Sequence, residues 1–225
     1  MPEIKQVIRT GKSKLGKVLS VKPQECVAVY SKLLWDRGLT EGTGGNVSMR
    51  DGDSVHITPT SMIKHFLTAE DIVELAVDGT KISGKYNPSS EYKMHIFLYQ
   101  NNPGAKVVVH AHPPYATAAA VAGRQLPVNM LPESALLLTP ITYIPYQMPG
   151  SQGFADAFIS GIEQGSNVFL LGNHGVTVTG GSMTEAFARI ETLEFLSRVS
   201  YLTGAEPGSM EIPDDQIQAW LATLK

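Results

Sequence analysis

A run of β-branched residues, Val107-Val108-Val109, passes directly into His110-Ala111-His112 and limits what this chain can fold into more than any other stretch. An apolar run without polar alternation is what a buried strand requires, and β-branched side chains suit its pleated surface. Successive side chains of a strand point to opposite faces, so His110 and His112 present both imidazoles to one side. Behind this strand lies the alanine-rich segment 114–123, with proline at its start and glycine at its end, which predicts a helix.

The segments on either side decide what kind of sheet receives that strand. Between Pro23 and Leu39, residues Val27, Tyr30, Leu33 and Leu34 recur at helical spacing, and Gly38 is a stop signal. Gly42, Gly44 and Gly45 then lead into two short alternating segments, 46–50 and 54–60, separated by Asp51-Gly52-Asp53, which predicts a hairpin. A further strand is expected over 71–79, ending at Asp78-Gly79. Beyond Asn87-Pro88, a helix over 89–100 would be capped by Ser89 or Ser90. Residues 125–134 read as a loop. Strand patterns follow at 141–146, 167–172 and 176–180, with a helix around 154–164. A long helix starts at Ser182, with Glu185 as its capping-box partner. Strands gathered into hairpins and separated by helices of ordinary length predict an α/β fold, its mixed sheet covered on both faces rather than regularly parallel.

A length of 225 residues with 43% hydrophobic content can bury a full core, and no repeat or low-complexity linker divides it. One domain over 23–225 is expected, preceded by a basic arm over 1–22. That arm lacks the apolar centre of a secretory signal, and its Gly11-Lys12-Ser13 finds Gln6 where a phosphate loop wants a glycine. With 18 Lys and Arg against 21 Asp and Glu, a formal charge of −3 gives no bulk attraction to nucleic acid or anionic membrane, so small molecules are the expected partners. The lone Cys26 cannot form an internal disulfide and is expected to be a buried, inert thiol, in keeping with a cytoplasmic protein. After Gly204, Pro207, Pro213 and the apolar Ile217, Trp220 and Leu221 predict a short helix over a site or an interface.

The chemistry-bearing residues gather near the histidine strand. His174 lies between Gly172-Asn173 and Gly175, where glycines permit a tight path to the sheet's end. With His110 and His112 it would leave one coordination position open, the arrangement of a catalytic zinc. Spacing alone equally allows half-buried structural histidines. His56 and His65 read as structural or exposed. His95, four residues after Glu91 on one helical face, reads as core or as a support behind the ligands. Glu91 itself could simply favour a helix's first turn, but Ser89-Ser90 beside it offers hydroxyls and free N–H groups suited to an anion.

The motifs GTGGNVSMR, ITPTSM, SSEYKMH, HAHPPYATA and GNHGV stand in an order that resembles the class II aldolase and adducin-head family over residues 24 to 204, most like its L-fuculose-1-phosphate aldolases. The resemblance implies a single-domain three-layer fold with a mostly antiparallel central sheet between helices. It implies zinc held by His110, His112 and His174, with Glu91 as acid/base and as a further ligand before substrate enters. It implies substrate phosphate binding by Gly45, Asn46, Thr60, Ser61, Ser89 and Ser90, a neutral cradle of hydroxyls and N–H groups that works without a lysine. The implied reaction is reversible cleavage of a ketose 1-phosphate to dihydroxyacetone phosphate and a short aldehyde, in a cyclic homotetramer. Relatives in this family epimerise, dehydrate or decarboxylate sugar phosphates and sugar acids, and the adducin-like members serve as interaction modules without chemistry. One departure is plain: the segment 124–134 lacks the tyrosine of the fuculose enzymes, with Leu131 at its place and Glu133 two residues on. Glu133 is thus a candidate second acid or base, or an acid that orders the chain or a subunit contact.

Overall fold

The computed structural model describes residues 22–205, 208 and 211–224. The arm expected at 1–22 therefore lies outside the described residues except for Lys22, as does the Gly11–Ser13 string. The first helix, α1 (Pro23–Asp36), leads into the hairpin β1 (Asn46–Asp51) and β2 (Ser54–Ile57), followed by β3 (Val73–Ala76) and β4 (Lys81–Ser83). Helix α2 (Tyr92–Asn101), the histidine strand β5 (Val107–Ala111) and helix α3 (Pro114–Val121) come next. The second half holds α4 (Pro132–Leu138), β6 (Ile141–Ile144), α5 (Gln152–Asp156), α6 (Ile159–Glu163), β7 (Val168–Leu171), β8 (Gly175–Gly180), α7 (Met183–Thr203) and α8 (Asp214–Thr223).

The eight strands among the described residues form one sheet in the order β4-β3-β2-β1-β5-β8-β7-β6, antiparallel throughout except for the parallel pair β6 and β7. Every residue of β5 is buried, as a central strand covered on both faces must be. One face of the sheet packs Val107, Val109 and Ala111 against Leu34 of α1, Ala116 and Ala120 of α3, and Ile190 and Leu193 of α7. The other packs Val108 with Met94 and Leu98 of α2, and with Phe154 and Phe158 around α5 and α6. The three layers expected for the fold follow directly. Register places Asn46 opposite His110 and Ser48 opposite Val108, so β1 sends two polar side chains to the same face as His110.

Helix α7 is started as its sequence demands: Ser182 Oγ accepts the Glu185 N–H at 3.2 Å. The reciprocal bond of a full capping box goes one residue further back, with Gly181 N–H donating to the Glu185 carboxylate at 2.8 Å. The structure departs from the sequence reading in several places. The first helix ends at Asp36 rather than Leu39, with Gly38 at φ 66°. Neither Ser89 nor Ser90 caps α2; Glu91 takes the cap position, and Ser89 Oγ accepts the Glu91 N–H at 3.3 Å instead. The expected loop at 125–134 gives way to a helix that starts with Pro132 at its first position, where a missing N–H costs nothing. The three-residue β4 is exposed throughout, an edge strand with no buried face to write alternation into its sequence. The tail helix α8 forms as expected, packs against α4 and buries Ile217. Cys26 is half-buried, and burial pushes its thiol pKa up. No helix of the described residues is long and apolar enough to cross a membrane.

Leu193, fully buried where α7 meets the sheet, anchors the longest of the described helices. We expect Leu193→Ala to lower unfolding free energy by about 2–5 kcal/mol in urea denaturation, from lost burial and the cavity left behind.

Candidate functional site

The structure brings His110, His112 and His174 together at one end of the sheet. His110, next to last in β5, is wholly buried, with Nδ1 2.9 Å from the Val176 carbonyl of β8. A carbonyl only accepts, so Nδ1 carries the proton and the Nε2 lone pair is free. His112 Nδ1 donates to Glu41 Oε1 at 2.9 Å, which likewise frees its Nε2. His174 arrives on the turn between β7 and β8, where Asn173 sits at φ 55°. Gly175 makes room: a Cβ there would lie 2.6 Å from His112 Cδ2 and 2.7 Å from the Ala111 carbonyl oxygen.

Nε2 of His110 and Nε2 of His112 are 3.1 Å apart. Two unprotonated nitrogens repel at that distance, whereas two nitrogens bound to one tetrahedral ion at about 2.0–2.1 Å stand about 3.3 Å apart. Glu91 completes the ring, with Oε2 at 3.4 Å from His110 Nε2 and Oε1 at 3.4 Å from His174 Nε2. Glu91 Oε1 and His174 Nδ1 are buried without a hydrogen-bond partner. Facing lone pairs and an orphaned carboxylate oxygen are what a divalent cation would satisfy, so these residues could hold a metal ion. Burial holds the His110 pKa well below its usual value, reinforced by His174 and His112. Burial also lowers that of His174 against the pull of Glu91. Both effects favour the neutral ring that binds a metal.

Behind Glu91 a chain of hydrogen bonds runs through the buried face of the sheet. Tyr99 donates its hydroxyl to Ser48 Oγ at 2.6 Å, and Ser48 donates to His95 Nδ1 at 2.7 Å. His95 Nε2 then donates to Asn46 Oδ1, and Asn46 Nδ2 donates to Glu91 Oε2 at 2.7 Å. His95 thus stands behind Asn46 rather than among the ring nitrogens, and burial pushes its pKa down to about 3. One carboxylate oxygen is held in place while Oε1 stays free.

A pocket of about 170 Å³ opens beside Glu91 and His112. Gly45, Asn46, Thr60, Ser61, Ser89 and Ser90 all line it, so the six residues expected to bind phosphate share one cavity with the carboxylate. Gly45 has φ 70°, and a Cβ there would lie 2.8 Å from the His110 carbonyl oxygen. Ser61 adopts the left-handed φ of 57°. Lys64 also lines this pocket. A larger groove of about 540 Å³ is lined by Arg37, Glu191, Glu194 and Arg198 among others, and by none of the three histidines.

Among the other candidates, His56 is buried in β2, and His65 pairs with Asp36 at 2.9 Å. Glu133 is exposed on the first turn of α4 and does not line the pocket. Sequence reasoning missed Glu41, Ser48, Tyr99 and Lys64; only the place of Ser48, in register beside Asn46 on a strand face, could have signalled one of them.

The Class II Aldolase and Adducin N-terminal domain family matches residues 24–201. The chain is 37% identical over 170 residues to an L-fuculose phosphate aldolase of Methanococcus maripaludis strain C7, covering 76% of this chain and 91% of that one. It is 31% identical over 202 residues to a 3-oxo-tetronate 4-phosphate decarboxylase of Haemophilus influenzae, covering 84% and 95%. A solved structure of an L-fuculose 1-phosphate aldolase superposes with a TM-score of 0.81 at 27% identity, covering 91% of this chain and 97% of that one.

The depressed histidines have a consequence for stability. Unfolded, His56, His95, His110 and His174 take up protons near pH 6.5; folded, they resist to lower pH. Their contribution is present above about pH 6.5 and is lost as pH falls below it. Urea midpoints of the metal-free protein should fall between about pH 7.5 and 5.5, and His95→Gln should flatten the slope; a flat native profile would contradict the assignment.

Proposed function

This chain belongs to the Class II Aldolase and Adducin N-terminal domain family, and within it we propose a zinc-dependent lyase that reversibly cleaves a ketose 1-phosphate to dihydroxyacetone phosphate and a short aldehyde. The observation that carries this reading is the sharing of one cavity by His112, Glu91 and a wall of hydroxyls and glycines, with His110 and His174 completing the ring. Zinc at His110, His112 and His174, with Glu91 as a fourth ligand before substrate enters, would supply a Lewis acid that draws electron density from substrate oxygens.

The rest falls to the chain's own residues. Gly45, Asn46, Thr60, Ser61, Ser89 and Ser90 would hold the phosphate and so fix the distance from that end of the sugar to Glu91. Asn46 joins the two ends, because its amide is bonded to Glu91. With Oε2 held by Asn46, Oε1 would be the oxygen that moves a proton. In cleavage a protonated Glu91 would deliver its proton to the carbon left by the departing aldehyde, whose hydroxyl proton would pass to solvent; in synthesis the carboxylate would remove a proton from that carbon.

A second reading keeps the site and changes the bond. Segment 124–134 has no tyrosine to handle the hydroxyl on the aldehyde side, and a relative of similar length is named a decarboxylase. Decarboxylation, epimerisation or dehydration of a phosphorylated sugar or sugar acid would use the same ring and carboxylate. The intact ring weighs against a purely adducin-like interaction module. A homotetramer in the cytoplasm accompanies the proposal, and light scattering that gave a monomer would contradict the assembly.

Incubation of zinc-loaded protein with L-fuculose 1-phosphate should yield dihydroxyacetone phosphate; product from a phosphorylated 3-oxo acid alone would favour the second reading. Glu91→Gln should retain about one zinc per chain yet lose about 10²–10⁴-fold in turnover. Near-normal cleavage by that variant would contradict the role of Glu91.

A further inference from the structure

Lys64 is only 2% exposed, a rare placement for an ammonium group. It begins a single-turn 3-10 helix, Lys64–Phe66, and its Nζ donates to the carbonyls of Thr43 at 2.9 Å and Met62 at 2.8 Å. It forms no ion pair with a carboxylate among the described residues, although Glu41 and Glu91 are near enough to favour its charge. Burial lowers its pKa to about 8, so it remains largely protonated at neutral pH. Lys64 lines the same pocket as Gly45, Thr60, Ser61, Ser89 and Ser90.

A packing role explains little of this. An apolar side chain would fill the space without the cost of desolvating a charge, and a lone buried cation is strongly unfavourable unless something compensates it. Two backbone carbonyls offset part of that cost and leave the third N–H without a protein partner among the described residues. Donation to two carbonyls also favours the charged form over a free amine, which argues against a nucleophile. What remains is a fixed positive charge at the wall of a cavity lined by hydroxyls. The two carbonyls belong to separate segments, one leading to Gly45 and Asn46 and the other following Thr60 and Ser61. A single Nζ therefore ties together two walls of the pocket.

We propose that Lys64 is the cationic floor of the phosphate pocket, supplying charge to the substrate's phosphate and holding the Thr43 and Met62 segments at the spacing that phosphate needs. This rests on the sugar-phosphate reading above and adds to it the residue that makes an apparently neutral cradle selective for a dianion.

The test uses full-length, zinc-loaded protein and inorganic phosphate, titrated by calorimetry. Lys64→Met removes both charge and tie, whereas Lys64→Gln keeps a donor for a carbonyl and removes the charge alone. Both should weaken phosphate binding roughly tenfold or more, with zinc content unchanged and KM for the sugar phosphate raised in parallel. If the Met variant does not fold, the Gln variant decides. Binding by a folded variant within about twofold of native would overturn the role of Lys64 while leaving the proposed function standing. Failure of the native protein to bind inorganic phosphate would overturn the sugar-phosphate reading and this inference with it.

Discussion

The close approach of two imidazole nitrogens, 3.1 Å between His110 Nε2 and His112 Nε2, is the contact on which the rest of the site depends. Each ring is pinned from behind by its other nitrogen, one on a strand carbonyl and the other on Glu41. Neither can turn away without giving up that bond, and in His110 the bond is buried. The sheet thus holds two lone pairs against each other at a spacing that suits a shared cation. His174 and Glu91 close on the same point from a different strand turn and from the cap of α2.

The polar residues behind the ring lie in a layer that is otherwise apolar. Helix α2 packs Met94, Ile96 and Leu98 into the core, and between them His95 and Tyr99 reach Ser48 and Asn46 on β1. Each donor in that chain has an acceptor, and the direction is uniform from Tyr99 to Glu91. A satisfied network of this kind costs little to bury, whereas loss of one member would strand its neighbours. The helix that anchors one face of the sheet is therefore also the element that orients the carboxylate.

Much of this was legible in the chain itself, for reasons that differ by residue. The period of two places His110 and His112 on one face, and flanking glycines mark His174 as a turn residue at the sheet's end. The hairpin at Asp51-Gly52-Asp53 and the start of α7 at Ser182 follow local rules that tertiary structure did not override. Helix α4 was hidden because Pro127 and Pro132 read as loop punctuation, although a proline at the first helical position is harmless. Edge strand β4 was hidden because nothing buries it. Lys64 and Glu41 were hidden for another reason: a lone charged residue in a loop reads as solvated. Their burial or pairing depends on which distant segment folds over them.

The claim at the centre is that the three histidines hold one metal ion beside Glu91. X-ray absorption on zinc-loaded protein measures this directly, since the scattering from imidazole rings is distinctive. Three imidazole nitrogens at about 2.0–2.1 Å, with the remaining position filled by oxygen, is the result we expect. A sulfur scatterer at about 2.3 Å, or fewer than three imidazoles, would contradict it.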